Sequence, residues 1–226
     1  MINKMFCIYP VDETTDFLNK IPEELLTFFG SDFDLIRVYP NDKSHEDAIN
    51  IIESAPNGSI FIFLGHGNSM TLKGAESGSY CKDVFIDNDK LIIFNNKSLF
   101  VLACRSSSLL ECGVYISGTN INQSISFPNI ISSWEELEHE RLVKITLYPN
   151  LTKSHIDRFN SIITESTIYC LKGLFENKDF NSIHRRLIHY LNQKMVELVI
   201  NEPNSANRDL ADMIFDLKRE IKVVSN

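Results

Sequence analysis

The sequence predicts an α/β protein built on a doubly wound, mostly parallel sheet with helices on both faces. Apolar runs of strand length alternate with segments of helical periodicity through the first hundred residues. Two of these runs, residues 59–65 and 98–104, are almost continuously apolar, which is typical of strands buried on both faces of a parallel sheet. The runs follow the order strand, helix, strand, helix, strand, loop, strand, and this order favours parallel crossovers.

The first elements follow one another closely. Pro22 falls inside the first helical segment, so that helix is expected to start or kink there. Pro40 ends the second strand, and Pro56-Asn57-Gly58 predicts a turn before the third. In chain order, the elements predicted before residue 66 are a strand (6–11), a helix (15–29), a strand (34–39), a helix (44–55) and a strand (59–65).

A polar, glycine-rich stretch runs from Gly65 to about Asp89 and is too long for a compact connector, so we expect it to be functional or mobile. Beyond the strand at 98–104, residues 113–117 and 129–132 predict two more short strands. From Trp134 onward the pattern is mainly helical, with apolar stripes over 156–177, 183–198 and 210–221. The chain therefore divides into an α/β core, residues 1–133, and a mainly helical C-terminal region, residues 134–226, that packs on the core or extends it.

Charge and cysteine content narrow the class of protein. Lys and Arg total 22 against 30 Asp and Glu, a net charge of −8, which argues against nucleic acid as a partner. No apolar run reaches the roughly 18 residues of a membrane helix, so no membrane partner is expected. The five cysteines are odd in number and contain no Cys-x-x-Cys pair, which disfavours a disulfide framework and a zinc ribbon. We expect free thiols, a reducing cytoplasm, and neither a cofactor nor a metal.

Reactive side chains follow two of the predicted strands. One strand ends in Gly65-His66-Gly67, and the other ends in Ala103-Cys104-Arg105. Ligands and reacting groups gather at the carboxyl ends of parallel strands, so neighbouring strands would bring the imidazole and the thiol into one crevice. A histidine beside a cysteine favours the thiolate and can protonate a leaving amine.

This arrangement resembles the caspase-like cysteine peptidases, the group that includes caspases, metacaspases, gingipains, separase and the bacterial CHAT proteins. The resemblance covers residues 1–133. In caspases the motif is Gln-Ala-Cys followed by Arg, Gln or Gly and then Gly, with its histidine about 50 residues upstream. Here the chain has Leu102-Ala103-Cys104-Arg105-Ser106, and His66 lies 38 positions before Cys104.

The resemblance implies a cysteine endopeptidase that cleaves a protein or peptide substrate and is regulated by a partner, a ligand or processing. By the same resemblance His66 and Cys104 form the catalytic dyad, and the N–H groups of Gly67 and Cys104 bind the oxyanion. Caspases have a glutamine at the position of Leu102 that helps to hold the substrate aspartate. Leucine cannot do so, and aspartate specificity therefore does not follow.

Charged residues near the two motifs are candidates for substrate contacts. Asp83 and Asp87, in the polar stretch after His66, could form a negative rim that attracts a basic side chain. Arg105 would instead meet an acidic group or favour the Cys104 thiolate. The sequence leaves both preferences open.

Other interpretations remain. Taken singly, a Gly-His-Gly turn and a free thiol are ordinary structural features. The same fold could also be a catalytically silent caspase-like adaptor that acts through its helical C-terminal region. A nucleotide-binding domain is a further alternative, although Met70 stands where a dinucleotide fingerprint has its third glycine.

Overall fold

The computed structural model of the chain describes residues 4–201 and 203–225, with residues 114–117 described by their backbone alone. Two compact units are present. The first contains the described residues up to Pro128 and from Ile221 onward, and the second contains Asn129–Glu220. The last strand of the chain thus belongs to the first unit.

The first unit holds a six-stranded sheet and two small two-stranded sheets, counted over the described residues. Its strands are β1 (Met5–Pro10), β2 (Phe33–Val38), β3 (Ile60–Leu64), β4 (Thr71–Leu72), β5 (Glu76–Ser77), β6 (Tyr80–Cys81), β7 (Ile86–Asp87), β8 (Ser98–Leu102), β9 (Gln123–Ser126) and β10 (Lys222–Ser225). The large sheet has the order β2-β1-β3-β8-β9-β10. Its first five strands are parallel to their neighbours, and β10 runs antiparallel to β9.

The predicted α/β class and the mostly parallel central sheet are confirmed. Every residue of β1, β3 and β8 is buried. Because successive side chains of a strand point to opposite faces, both faces of the central sheet are covered. The apolar runs of the sequence located these strands correctly for this reason.

Among its described residues the first unit has three α-helices: α1 (Lys20–Phe29), α2 (Asp42–Ser54) and α3 (Ser106–Ser117). Short 3-10 helices cover Glu13–Leu18, Gly30–Asp32 and Lys90–Phe94. Pro22 lies in the first turn of α1, where its missing N–H costs nothing. The second helix begins earlier than predicted, at Asp42, because the Asn41 side chain accepts the Ser44 N–H and caps it.

Two strand predictions are wrong. Residues 113–117 are the last part of α3 and not a strand, and residues 129–132 form no strand. The strand is instead Gln123–Ser126, which runs beside β8. The stretch after Gly65, which the sequence predicts to be functional or mobile, contains two short strand pairs, β4 with β7 and β5 with β6.

The second unit is helical, as the apolar stripes predict. Its helices are α4 (Trp134–Val143), α5 (Lys153–Lys172), α6 (Phe180–Val196) and α7 (Ser205–Glu220). Helix α6 contacts both α5 and α7, and their buried faces carry the predicted leucine and isoleucine stripes. Helix α7 ends at Glu220, so Ile221, the last residue of the predicted stripe, lies just beyond the helix.

Candidate functional site

The turns that follow β3 and β8 leave the sheet side by side. The two strands pair in parallel with Leu64 opposite Leu102, and the Gly65 N–H donates to the Leu102 carbonyl at 3.2 Å. His66 and Cys104 each lie two residues beyond this pair. The structure therefore brings both predicted catalytic residues to the same edge of the sheet.

The Gly67 backbone passes close to Ala103 and Cys104. A Cβ atom placed on Gly67 would lie 3.1 Å from the Ala103 Cβ and 3.2 Å from the Cys104 carbonyl oxygen. A glycine is thus the residue that lets the two turns approach this closely.

The Gly67 N–H has no acceptor in the part of the chain that the structure describes. Gly67 lies opposite Leu72 in an isolated antiparallel bridge, but neither residue forms the two hydrogen bonds of that bridge. The residues beside them do: Asn68 N–H donates to the Thr71 carbonyl, and Lys73 N–H donates to the His66 carbonyl. An N–H donor in the position of Gly67 can bind an oxyanion of a substrate.

His66 is held by two residues that sequence reasoning missed, Asp12 and Thr14. The Thr14 hydroxyl lies 2.6 Å from His66 Nε2 and donates to Asp12 Oδ1, also at 2.6 Å. The other carboxylate oxygen of Asp12 lies 3.7 Å from His66 Nε2. The Asp12 side chain is 7% exposed, whereas that of His66 is 28% exposed and open to solvent.

The position of Asp12 and Thr14 follows from the sheet order. In the sheet β1 lies between β2 and β3. The chain passes from β1 to β2 on one side and then returns to β3 on the other side. The strand connections change direction between β1 and β3, and crevices for ligands form at such switch points. Asp12 and Thr14 follow β1, and His66 follows β3. An Asp-x-Thr sequence directly after a predicted strand, where an Asx turn is favoured, was the available signal.

Cys104 lies in the turn between β8 and α3 and is half-buried. The next residue, Arg105, adopts a left-handed conformation with φ 56°, and α3 begins at Ser106. The Arg105 N–H donates to the Pro128 carbonyl at 2.8 Å, and the Ser107 N–H donates to the Phe127 carbonyl at 3.0 Å. Strand, tight turn and helix thus place Cys104 at the sheet edge.

The other four thiols are poor candidates for a nucleophile or lie outside this edge. Cys7 and Cys170 are fully buried, and burial raises the pKa of both thiols. Cys81 is exposed, but desolvation and the carboxylates of Asp83 and Glu76 raise its pKa. Cys112 is exposed on α3.

The three predicted substrate residues differ in their charge partners. Asp83 forms an ion pair with Lys73 at 2.9 Å, and this hydrogen bond holds the pKa of Asp83 below its ordinary value. Asp87, in β7, accepts the Lys90 N–H at 3.0 Å. Arg105 is exposed and forms no ion pair within the described part of the chain. Lys73 therefore neutralises part of the negative charge of Asp83 and Asp87, whereas no carboxylate of the described residues neutralises Arg105.

The segment after His66 is fastened to α2 by side chains. His45 accepts the Ala75 N–H on Nε2 at 3.0 Å, and its Nδ1 lies 2.7 Å from the Asn41 carbonyl. Tyr80 and Lys82 both donate to Asp42, at 3.0 Å and 2.9 Å. Burial lowers the pKa of His45, which is only 3% exposed. The fastened segment is residues 74–85.

No protein-family model matches this chain, and no curated protein is matched by its sequence. Among the described residues, no helix has the length and apolarity to cross a membrane. The same residues contain no cluster of three or more side chains that could hold a metal ion.

Proposed function

We propose that the chain is a cysteine endopeptidase with a caspase-like fold, in which His66 and Cys104 form the catalytic dyad. The observation that carries the proposal is the close approach of the turns after β3 and β8, where a Cβ atom on Gly67 would lie 3.2 Å from the Cys104 carbonyl oxygen. It supports a crevice that holds an imidazole, a thiol and an unused N–H donor.

In the proposed reaction the Cys104 thiolate attacks the scissile carbonyl, and the carbonyl π electrons move to oxygen. The N–H groups of Gly67 and Cys104 stabilise this oxyanion, an effect of about 3–4 kcal/mol per donor in other hydrolases. His66 gives its proton to the leaving amine, and the C–N bond breaks. Water then attacks the thioester, and the acid product leaves as the thiol is restored.

The strand topology supports the caspase-like assignment at the level of architecture. Five parallel strands are followed by one antiparallel edge strand. The histidine follows β3, and the cysteine follows the strand next to it in the sheet. Cys104 also lies two residues before α3, where the positive end of the helix dipole favours a thiolate.

Arg105 is the substrate contact that we favour among the three predicted. Its charge is exposed and lies directly after the nucleophile, whereas Lys73 already pairs with Asp83. Exchange of Arg105 for Gln should therefore change peptide preference more than exchange of Asp83 for Asn.

The decisive experiment combines active-site labelling with cleavage profiling on a diverse peptide library. A peptidyl acyloxymethyl ketone should label the wild-type protein at Cys104, and Cys104→Ala should abolish both labelling and cleavage. His66→Ala should lower both at least about 1,000-fold. The matched controls Cys112→Ala and His139→Ala, at exposed positions, should retain full activity.

A different result would favour the second candidate, a silent caspase-like adaptor that acts through its helical C-terminal region. One observation supports this candidate: Leu142, Val143 and Ile145 are 78–86% exposed at and just beyond the end of α4. Apolar side chains this exposed in one segment are typical of contact surfaces. If His66→Ala leaves the labelling rate and its pH dependence unchanged, the peptidase proposal is wrong and the adaptor gains.

A further inference from the structure

We propose that Asp12 and Thr14 are positioning residues that hold His66 with its proton on Nε2, so that Nδ1 is the nitrogen that exchanges a proton during the reaction. The role of Nδ1 rests on the proposed function. The location of the proton on Nε2 depends only on these three side chains, and it can be tested without any activity.

The direction of the hydrogen bonds fixes the tautomer. A threonine hydroxyl has a single proton, and that of Thr14 is donated to Asp12 Oδ1 at 2.6 Å. Towards the ring, at 2.6 Å, the hydroxyl oxygen can therefore only accept. The Nε2 atom of His66 must carry the proton that completes this bond.

The reverse direction is disfavoured by charge. If the hydroxyl donated to Nε2, its oxygen would face Asp12 Oδ1 at 2.6 Å with no proton between them. Asp12 is buried, so water cannot relieve the repulsion between these two oxygens. The Thr14 N–H also donates to Asp12 Oδ1, at 2.7 Å, and this bond holds the carboxylate in place.

The remaining ring nitrogen is left for chemistry. Within the described residues, Nδ1 of His66 forms no hydrogen bond, and the ring is partly exposed. The Oδ2 atom of the Asp12 carboxylate lies 3.7 Å from Nε2, the nitrogen that carries the proton in this arrangement. Because the side chains are already bonded before substrate arrives, no reorganisation is needed at that moment.

The test compares Thr14→Val, which removes the hydroxyl, with Thr14→Ser, which keeps it. Thr14 is exposed, so neither change creates a cavity in the core. Imidazole ¹⁵N NMR of the full chain, assigned with His66→Ala, should show a protonated Nε2 and an unprotonated Nδ1 in the wild type and in Thr14→Ser. The Nε2–H proton should be protected from solvent exchange in both, and this protection should be lost in Thr14→Val.

Asp12→Asn supplies a second, independent variant. Asparagine still caps the 3-10 helix when its carbonyl oxygen takes the place of Oδ1, and this uncharged oxygen repels an undonated Thr14 hydroxyl oxygen less than the carboxylate does. Its NH2 group then takes the place of Oδ2, facing His66 Nε2, where a second donor disfavours a proton on Nε2. We expect part of the His66 population to shift its proton to Nδ1. A wild-type spectrum with the proton on Nδ1, or an Nε2–H that is unaffected by Thr14→Val, would overturn the proposal.

Kinetics separate this proposal from the peptidase function. With an active enzyme, Thr14→Val should lower kcat about 10- to 100-fold while KM changes less than about threefold, and Thr14→Ser should restore kcat to within about threefold. Equal kcat values for Thr14→Val and the wild type would contradict a positioning role. If no variant cleaves any peptide but the proton is on Nε2, the peptidase function fails and the positioning of the ring stands.

Discussion

The turns that carry Cys104 and His66 leave the same sheet edge but are held in different ways. The Cys104 turn is fixed by backbone bonds to the segment after β9 and by one fully buried hydroxyl, that of Ser106. The His66 turn also has backbone bonds, from Gly65 N–H to the Leu102 carbonyl and from Lys73 N–H to the His66 carbonyl. Its imidazole, however, is fixed by the exposed side chain of Thr14 together with buried Asp12. The thiol should therefore tolerate changes of surrounding surface residues, whereas the orientation of the imidazole should not.

Removal of the Ser106 hydroxyl, which holds the Cys104 turn, should have the largest effect. Its hydroxyl donates to the Val101 carbonyl at 2.9 Å and accepts the Phe127 N–H at 2.9 Å, with the residue 0% exposed. Ser106→Ala leaves the buried Phe127 N–H without an acceptor and should lower the free energy of unfolding by about 2 kcal/mol. Urea unfolding measures this change.

Ser108 provides the control for that measurement. It lies in the same first turn of α3, is half-buried, and uses its backbone N–H to bond to the Arg105 carbonyl. Ser108→Ala should change stability by less than about 0.5 kcal/mol. Equal unfolding curves for the two variants would show that the Ser106 hydroxyl does not hold the turn.

The difference between the two turns also explains what the sequence could predict. The sequence predicts the strand-end positions of His66 and Cys104 because each lies at the end of a continuous apolar run, and such runs are local signals. Asp12 and Thr14 were missed because their contact with His66 depends on β1 lying beside β3, a pairing between segments some 50 residues apart. No local pattern of a single sequence encodes that pairing.

The wrong strand predictions have equally specific causes. The residues Gly-Val-Tyr-Ile-Ser at 113–117 are rich in strand-forming types, yet they continue a helix that begins at Ser106. The true strand, β9, has the polar sequence Gln-Ser-Ile-Ser and is defined by its neighbours β8 and β10. Its buried serines, Ser124 and Ser126, carry no apolar periodicity that would reveal it.

Gly67, where the two turns touch, should be more sensitive to substitution than Gly65. In Gly67→Ala the new Cβ would lie 3.1–3.2 Å from Ala103 and the Cys104 carbonyl, so one turn must shift by a few tenths of an ångström. In Gly65→Ala the nearest atoms are at 3.5 Å, an ordinary contact. We expect Gly67→Ala to lower kcat/KM about tenfold and Gly65→Ala to leave it within twofold. Peptide cleavage by both variants would decide, and equal losses would contradict a special role for the contact.

Arg105 tests whether strain is stored on the cysteine side. A left-handed conformation costs a non-glycine residue about 1 kcal/mol. The free energy of unfolding should therefore be about 1 kcal/mol higher for Arg105→Gly than for Arg105→Ala, although both variants lose the same side-chain charge. Urea unfolding measures this difference. The reverse order of stability would mean that the turn relaxes without cost.

The smallest expected effect lies in the fastened segment, residues 74–85, which continues the chain from the His66 turn. His45 has a pKa below its ordinary value because it is buried, with the charges of Lys82 and Asp42 and the Tyr80 hydroxyl nearby. A lowered pKa in the folded state means that the contribution of His45 to stability is complete above about pH 6.5, the pKa in the unfolded chain, and is lost as the pH falls through the folded value.

Protonated Nε2 of His45 cannot accept the Ala75 N–H. The protection of the Ala75 amide against hydrogen exchange should then fall about fivefold on acidification, after correction for the intrinsic exchange rate. The Phe85 amide, which donates to the Leu72 carbonyl in the same segment, should keep its protection, and parallel loss at both amides would show that His45 does not act as the local fastening.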